Sequence, residues 1–284
     1  MALLEVNSIT VRFGGVTAVD DASIQADSGT VTGLIGPNGA GKTTLFNVIT
    51  GLQPPTRGRV KFRGNDVTKA SPNARAKAGM GRTFQRLEAF GSLTVRENVL
   101  VAREIHAGTR GMFGKKHDRV VDALLERVGV TRYAQQRADS VPTGVARLVE
   151  MARALAIEPK LLLLDEPSSG LDEGETEAFG HLLRQLADSG TAVLMVEHDM
   201  DLVMAVCDTI HVLEFGKVIA TGTPAEIRAD RRVQAAYLGF SDDDEPTGSG
   251  QHLPAHTLEP AAVPANDVLP TETTIELPSI GRSS

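Results

Sequence analysis

The 284-residue chain has a single cysteine, Cys207, so no internal disulfide can form, and such sparing use of cysteine fits a reducing cytosol. Cys207 is expected in an apolar helix with Val203 and Val206, without a chemical role. Also missing is any run approaching the ~18 uninterrupted apolar residues that a membrane span requires. No basic-then-apolar leader with a cleavage site is visible near Asp20 and Asp21, so the protein is expected to stay where it is made. The absence of an internal repeat excludes a tandem pair of like domains. Excess positive charge is lacking too. The net charge is −7, but residues 241–284 hold eight acids (Asp242, Asp243, Asp244, Glu245, Glu259, Asp267, Glu272 and Glu276) against one base, Arg282. Setting these aside leaves 28 residues of each sign in residues 1–240. A neutral body has no electrostatic footprint for nucleic acid, and none is expected as a partner.

What remains is a chain with 41% hydrophobic and 23% charged residues, as in a soluble globular protein. Residues 241–284 carry six of the 14 prolines, no aromatic residue and no apolar period. They cannot bury enough surface to offset ordering entropy and are expected to be a disordered acidic tail. The folded unit is expected over residues 1–240.

Val6, Ile9, Val11 and Phe13 alternate with polar residues ahead of a Gly14-Gly15 turn, which predicts antiparallel strands. Residues 31–36 form a short apolar run that enters glycine-rich sequence, and residues 44–49 have helical content. Residues 95–130 read as mostly helical, with a polar break at 108–116. Residues 161–164 and 192–196 are unbroken apolar runs, as in parallel strands covered on both faces, with a helix near 175–187 between them. This alternation predicts an α/β core with parallel strands. Residues 209–213 and 217–220 read as a hairpin turning at Phe215-Gly216.

Gly36-Pro37-Asn38-Gly39-Ala40-Gly41-Lys42-Thr43 fits the G-x-x-x-x-G-K-[ST] phosphate loop between a predicted strand and a predicted helix that begins at Thr44. The glycines let backbone N–H groups turn inward onto phosphate oxygens, and the helix adds its positive N-terminal end. Lys42 would reach the β- and γ-phosphates, and the Thr43 hydroxyl would ligate Mg²⁺. At the end of the 161–164 run stand Asp165 and Glu166, where ligands collect in open α/β sheets. Asp165 would hold Mg²⁺ through its water shell. Glu166 would polarise the attacking water as general base.

In this order and spacing, these elements resemble the ATPase subunits of ABC transporters over residues 4–240. The resemblance implies a P-loop NTPase of the ABC type: a RecA-like parallel-sheet core, an N-terminal antiparallel β subdomain and a helical subdomain inserted at about 86–158. ATP and Mg²⁺ are the implied cofactors. Phe13, in Val11-Arg12-Phe13-Gly14, lies where the family stacks an aromatic on adenine; its strand phase with Ile9 and Val11 allows a core phenylalanine instead. Gln85, in Arg82-Thr83-Phe84-Gln85, resembles the glutamine that contacts Mg²⁺ and water and signals to the membrane subunit. Ser169-Gly170-Leu171-Asp172 resembles the loop crossing the dimer interface. His198, after Met195-Val196-Glu197, resembles the histidine that touches the γ-phosphate.

One element departs from the family pattern. Where Leu-Ser-Gly-Gly-Gln is expected stands Val141-Pro142-Thr143-Gly144-Val145, with Pro142 for the serine and Val145 for the glutamine. In ABC dimers each ATP lies between one subunit's phosphate loop and the other's signature, so a heterodimer with a second, intact ATPase is expected. Arg12-Phe13-Gly14-Gly15, Glu197-His198-Asp199-Met200 and Ala236-Tyr237-Leu238-Gly239 are similar to segments of the branched-chain amino acid importer ATPases. That implies transmembrane permease subunits as partners, an extracytoplasmic solute-binding protein indirectly, and a peripheral place on the cytoplasmic face of the membrane. A lipid or lipopolysaccharide exporter ATPase and a soluble, non-transport ABC ATPase are the alternatives.

Overall fold

The computed structural model describes residues 2–83, 88–108 and 115–238. Gln85 and the acidic tail lie outside the described residues.

Two sheets organise the chain. Strands β1 (Leu4–Phe13), β2 (Val16–Ala26), β4 (Arg57–Phe62) and β5 (Asn65–Asp66) form an antiparallel sheet in the order β2-β1-β4-β5. The second sheet has the order β10-β9-β3-β8-β7-β6, from β3 (Val31–Ile35), β6 (Met80–Arg82), β7 (Leu161–Asp165), β8 (Ala192–Val196), β9 (Thr209–Glu214) and β10 (Lys217–Gly222). Its strands from β9 to β6 run parallel, and β10 closes an antiparallel hairpin onto β9. The parallel core and the β9–β10 hairpin are as expected from the sequence.

The parallel sheet is covered on both faces, which is why its strands read as unbroken apolar runs. Along β7, Leu161 and Leu163 face a core shared with helix α1 (Lys42–Thr50) and the antiparallel sheet, while Leu162 and Leu164 face the other side. All four are fully buried, each worth about 1.5–3 kcal/mol of transfer free energy. On that other side lie α3 (Val95–Ala107), α4 (Lys115–Arg127), α5 (Thr143–Ala156), α6 (Glu173–Asp188) and α7 (Met200–Val206). Helix α6 begins in a capping box, with Asp172 accepting from the Glu175 amide and the Glu175 side chain accepting from the Asp172 amide. Short helix α2 (Pro72–Ala78) lies between β5 and β6 in the chain, and α8 (Pro224–Ala229) and α9 (Arg231–Leu238) follow the hairpin. Among the described residues no helix is long and apolar enough to cross a membrane.

Cys207 sits one residue past α7 rather than within it, buried against β3. The packing is close: a Cβ on Gly33 would lie 3.0 Å from the Cys207 Sγ. Burial pushes the thiol pKa up to about 12. The native protein is therefore expected to react with an alkylating reagent at pH 8 at least about 100-fold more slowly than the unfolded chain, whose thiol has a pKa of about 8.5. Comparing labelling rates with and without denaturant checks this.

Candidate functional site

Register brings the site together. Leu34 of β3 pairs with Val196 of β8, which pairs with Asp165 of β7. The chain therefore leaves three neighbouring strands at one edge of the sheet, carrying residues 36–41, Glu166, and Glu197 with His198. This is the C-terminal edge, where parallel sheets gather ligands.

The segment 36–41 is folded as a cradle by contacts only glycine allows. Gly36 has φ 149° and Gly41 φ 103°; a Cβ would run into the Leu213 carbonyl oxygen at the first and the Ala18 carbonyl oxygen at the second. The β9–β10 turn braces the loop, with Gly216 N–H donating to the Ala40 carbonyl at 2.9 Å. Helix α1 starts directly after, with no side-chain cap and no acid in its first turn. Its leading amides are therefore left for an outside anion. Lys42 Nζ folds back to donate to the carbonyls of Gly36 (2.5 Å) and Pro37 (2.9 Å). Burial lowers the Lys42 pKa, while Glu166 and Asp165, near enough to act on the ammonium, oppose that. Thr43 is exposed on the first turn.

Asp165 ends β7 with 2% of its surface exposed. Arg82 Nη2 reaches its Oδ2 at 3.2 Å, and both side chains are almost fully enclosed. Arg82 Nη1 also donates to Asn47 Oδ1 (2.8 Å) and Thr50 Oγ1 (3.0 Å) on α1, tying the phosphate-loop helix to the carboxylate strand. Burial raises the Asp165 pKa, and Arg82 counteracts this. Burial lowers that of Arg82, against the pull of Asp165. Glu166 has φ 48°, a left-handed conformation, while its N–H stays bonded to the Val196 carbonyl at 2.9 Å. A non-glycine residue held there costs about 1–3 kcal/mol, a strain that clusters at functional sites. The chain so breaks out of the sheet at the residue expected to act as base.

His198, its side chain 70% exposed, follows β8 and is held by its backbone, whose N–H donates to Glu197 Oε2 at 2.9 Å. The Ser169-Gly170-Leu171-Asp172 loop follows Glu166, and Gly170 within it has φ 86°. This loop meets the altered signature inside the same chain. A Cβ on Gly144 would lie 2.8 Å from Glu175 Oε2 and 3.0 Å from the Gly170 carbonyl, which accounts for the retained glycine. Pro142 is the N-cap of α5 and offers no side-chain cap. Val145, at the glutamine position, is 3% exposed and belongs to the apolar core.

Phe13 is 49% exposed, so it is not the core phenylalanine its strand phase allowed. The phase fails because β1 shifts register between Val6 and Ile9, around Ser8 with φ 49°, and twice more before Phe13. Two residues with a part in the site were not singled out by sequence reasoning, Arg82 and Glu197. The signal for Arg82 was its place just ahead of Thr83-Phe84-Gln85. The signal for Glu197 was its place between a buried strand and His198.

Comparison with known proteins shows the family. Residues 19–169 match the ABC transporter family model, and residues 217–239 match the model described as branched-chain amino acid ATP-binding cassette transporter. The chain is 38% identical over 250 residues to the high-affinity branched-chain amino acid transport ATP-binding protein LivG of Escherichia coli (strain K12), covering 84% of this chain and 98% of LivG. It is 34% identical over 239 residues to the lipopolysaccharide export system ATP-binding protein LptB of the same strain, with the same coverage. Among solved structures, the ADP conformation of MJ1267, an ATP-binding cassette of an ABC transporter, aligns with a TM-score of 0.76 at 31% identity, over 84% of this chain and all of that one. A glycine cradle and two carboxylates at one sheet edge are thus matched by a family likeness running through most of the chain, which belongs to the ABC transporter family as an ATP-binding, ATP-hydrolysing subunit.

Proposed function

We propose that this chain powers an importer of branched-chain amino acids or similar small solutes. The likeness to LivG, together with the match of residues 217–239 to the branched-chain model, supports the importer reading over the exporter one. The observation that supports its chemistry is the loop 36–41 with Lys42 half-buried at its end, facing Asp165 and Glu166 across one sheet edge. The backbone of Gly36, Pro37, Asn38, Gly39, Ala40, Gly41, Lys42, Thr43 and Thr44 encloses the phosphates, with an N–H to donate at every one of these positions except Pro37; Lys42 holds the β- and γ-phosphates, and Phe13 offers its exposed face to adenine. Glu166 takes the proton of the attacking water, and His198 donates to the γ-phosphate. Gln85 is assigned the water and the signal to the membrane subunit on resemblance alone.

The donor set fits Mg²⁺, a hard cation that seeks oxygen. Asp165 supplies a carboxylate and Thr43 a hydroxyl, with Gln85 a further oxygen on the resemblance. Among the described residues no three or more His, Cys, Asp or Glu side chains gather as a metal cage, so most ligand oxygens would come from phosphates and water. When bound, the ion would neutralise charge on the β- and γ-phosphates.

The ATPase domain is assigned to residues 1–240 with a helical subdomain at about 86–158, and it docks on permease subunits at the cytoplasmic face of the membrane. A solute-binding protein acts on the far side. The second ATPase is assigned as a different chain, because Pro142 brings no hydroxyl and Val145 is committed to the core, so two copies of this chain would make two weakened sites. Losing one hydrogen bond to a charged phosphate costs about 1.5–3 kcal/mol, roughly 10- to 150-fold in closure or rate. Burial of Val145 also means that Pro142→Ser alone is the useful repair, since a glutamine there would put an amide into packed hydrocarbon. Purification of the chain from its own membranes is expected to bring down permease subunits and a second ATPase with an intact signature. Solute uptake by that complex in vesicles then separates importer from exporter. An isolated chain that dimerises with ATP and turns over like an intact family member would remove the heterodimer.

A further inference from the structure

Glu197 is 1% exposed, and among the described residues no Lys or Arg pairs with it. A buried carboxylate in that position needs donors, and here backbone and hydroxyl groups supply them. Its two oxygens divide the task. Oε1 accepts from Ser168 alone, the amide at 2.8 Å and the hydroxyl at 2.6 Å. Oε2 accepts from the His198 amide at 2.9 Å and the Asp199 amide at 3.3 Å, and His198 Nδ1 lies 3.6 Å from it. Ser168 opens the loop that follows Glu166, and His198 opens the one that follows β8. One side chain therefore joins the two loops that leave neighbouring strands at the site.

We propose that Glu197 is a positioning residue that couples the histidine loop to the Ser168–Asp172 loop, so that His198 takes its working place only when that interface loop is seated. The coupling rests on the assignment of His198 to the γ-phosphate. The geometry explains why a carboxylate is required. All four hydrogen bonds are accepted ones, and they approach both oxygens. Glutamine keeps the shape but turns one end into an NH₂ that faces donors, so one of the two loops loses its anchor whichever way the amide is placed. The backbone of each loop would still be covered by its own strand, because Glu166 N–H bonds Val196 and β8 remains paired on both sides. The loss is one of placement rather than of fold.

The test is a double-mutant cycle in the intact transporter complex, with kcat and KM for ATP and the melting temperature measured for each variant. Glu197→Gln is expected to lower kcat roughly 10-fold or more, the scale of a lost hydrogen bond to a charged group, with KM for ATP changed less than about twofold. Added to His198→Ala, it should lower kcat little further, because it acts through that histidine. Effects that multiply, an unchanged kcat in Glu197→Gln, or a loss carried by KM would overturn the proposal while leaving the role of His198 standing. Normal turnover in His198→Ala would instead overturn the assignment on which the coupling rests. Should Glu197→Gln fail to fold, Ser168→Ala removes the hydroxyl bond alone and is expected to lower kcat severalfold at unchanged KM; an unaffected kcat there overturns the coupling.

Discussion

Replacing Glu166 by glutamine should leave ATP bound and slow its hydrolysis at least ~100-fold, the scale of losing a general base. The backbone is the reason this substitution is informative. Glu166 sits at φ 48° with its N–H on the Val196 carbonyl and its carbonyl accepting from the Ser169 amide at 3.3 Å. Glutamine has the same shape and branching, so the break out of the sheet persists and only the capacity to take a proton disappears. Lys42 loses one of the two carboxylates acting on it, yet Asp165 remains. Affinity for nucleotide should therefore stay within a few-fold. Steady-state hydrolysis beside equilibrium nucleotide binding reads both quantities, and near-normal turnover would take Glu166 out of the chemical step.

The opposite split is expected of Lys42→Ala, which should weaken ATP binding itself by roughly 10- to 150-fold, as for a lost charge-assisted hydrogen bond of about 1.5–3 kcal/mol. The ammonium donates to the Gly36 and Pro37 carbonyls, neutral oxygens of the same loop. A phosphate offers it negative charge in place of two neutral acceptors, and that difference is what binding gains. Lys42→Arg should not restore affinity, because a planar guanidinium cannot serve as a compact point charge between loop and helix. Isothermal titration with ATP measures the loss. Equal affinity in the alanine variant would mean that the amides of the cradle and the start of α1 hold the phosphates unaided.

Sequence and tertiary structure contributed to this site in different ways. The glycine loop 36–41 was legible because its geometry is local. Gly36 and Gly41 are demanded by positive φ and by carbonyls that a Cβ would strike, so the requirement appears as residue types at fixed spacing. The strand runs of β7 and β8 were legible because both faces of the parallel sheet are covered, which erases polar alternation. Strand β4 was missed as a partner of β1, since Arg57, Arg59 and Lys61 alternate with Gly58, Val60 and Phe62, and two apolar residues make too short a run to stand out. Phe13 could not be placed from its phase, because the register shifts along β1 change which side each later residue faces.

By itself, then, the sequence determined the glycine cradle at 36–41, the carboxylates at the end of β7, the parallel core and the family. Tertiary structure alone decided which groups meet across long separations. Arg82 reaches Asp165 across 83 positions, Glu197 reaches Ser168 across 29, and Val145 turns into the core where a polar residue was the family's pattern. The physical reason is the same in each case. A backbone requirement is met by the residue that carries it and so is written at that position, whereas the partner of a buried charge is whichever group the register of neighbouring strands and the packing of helices bring within about 3 Å.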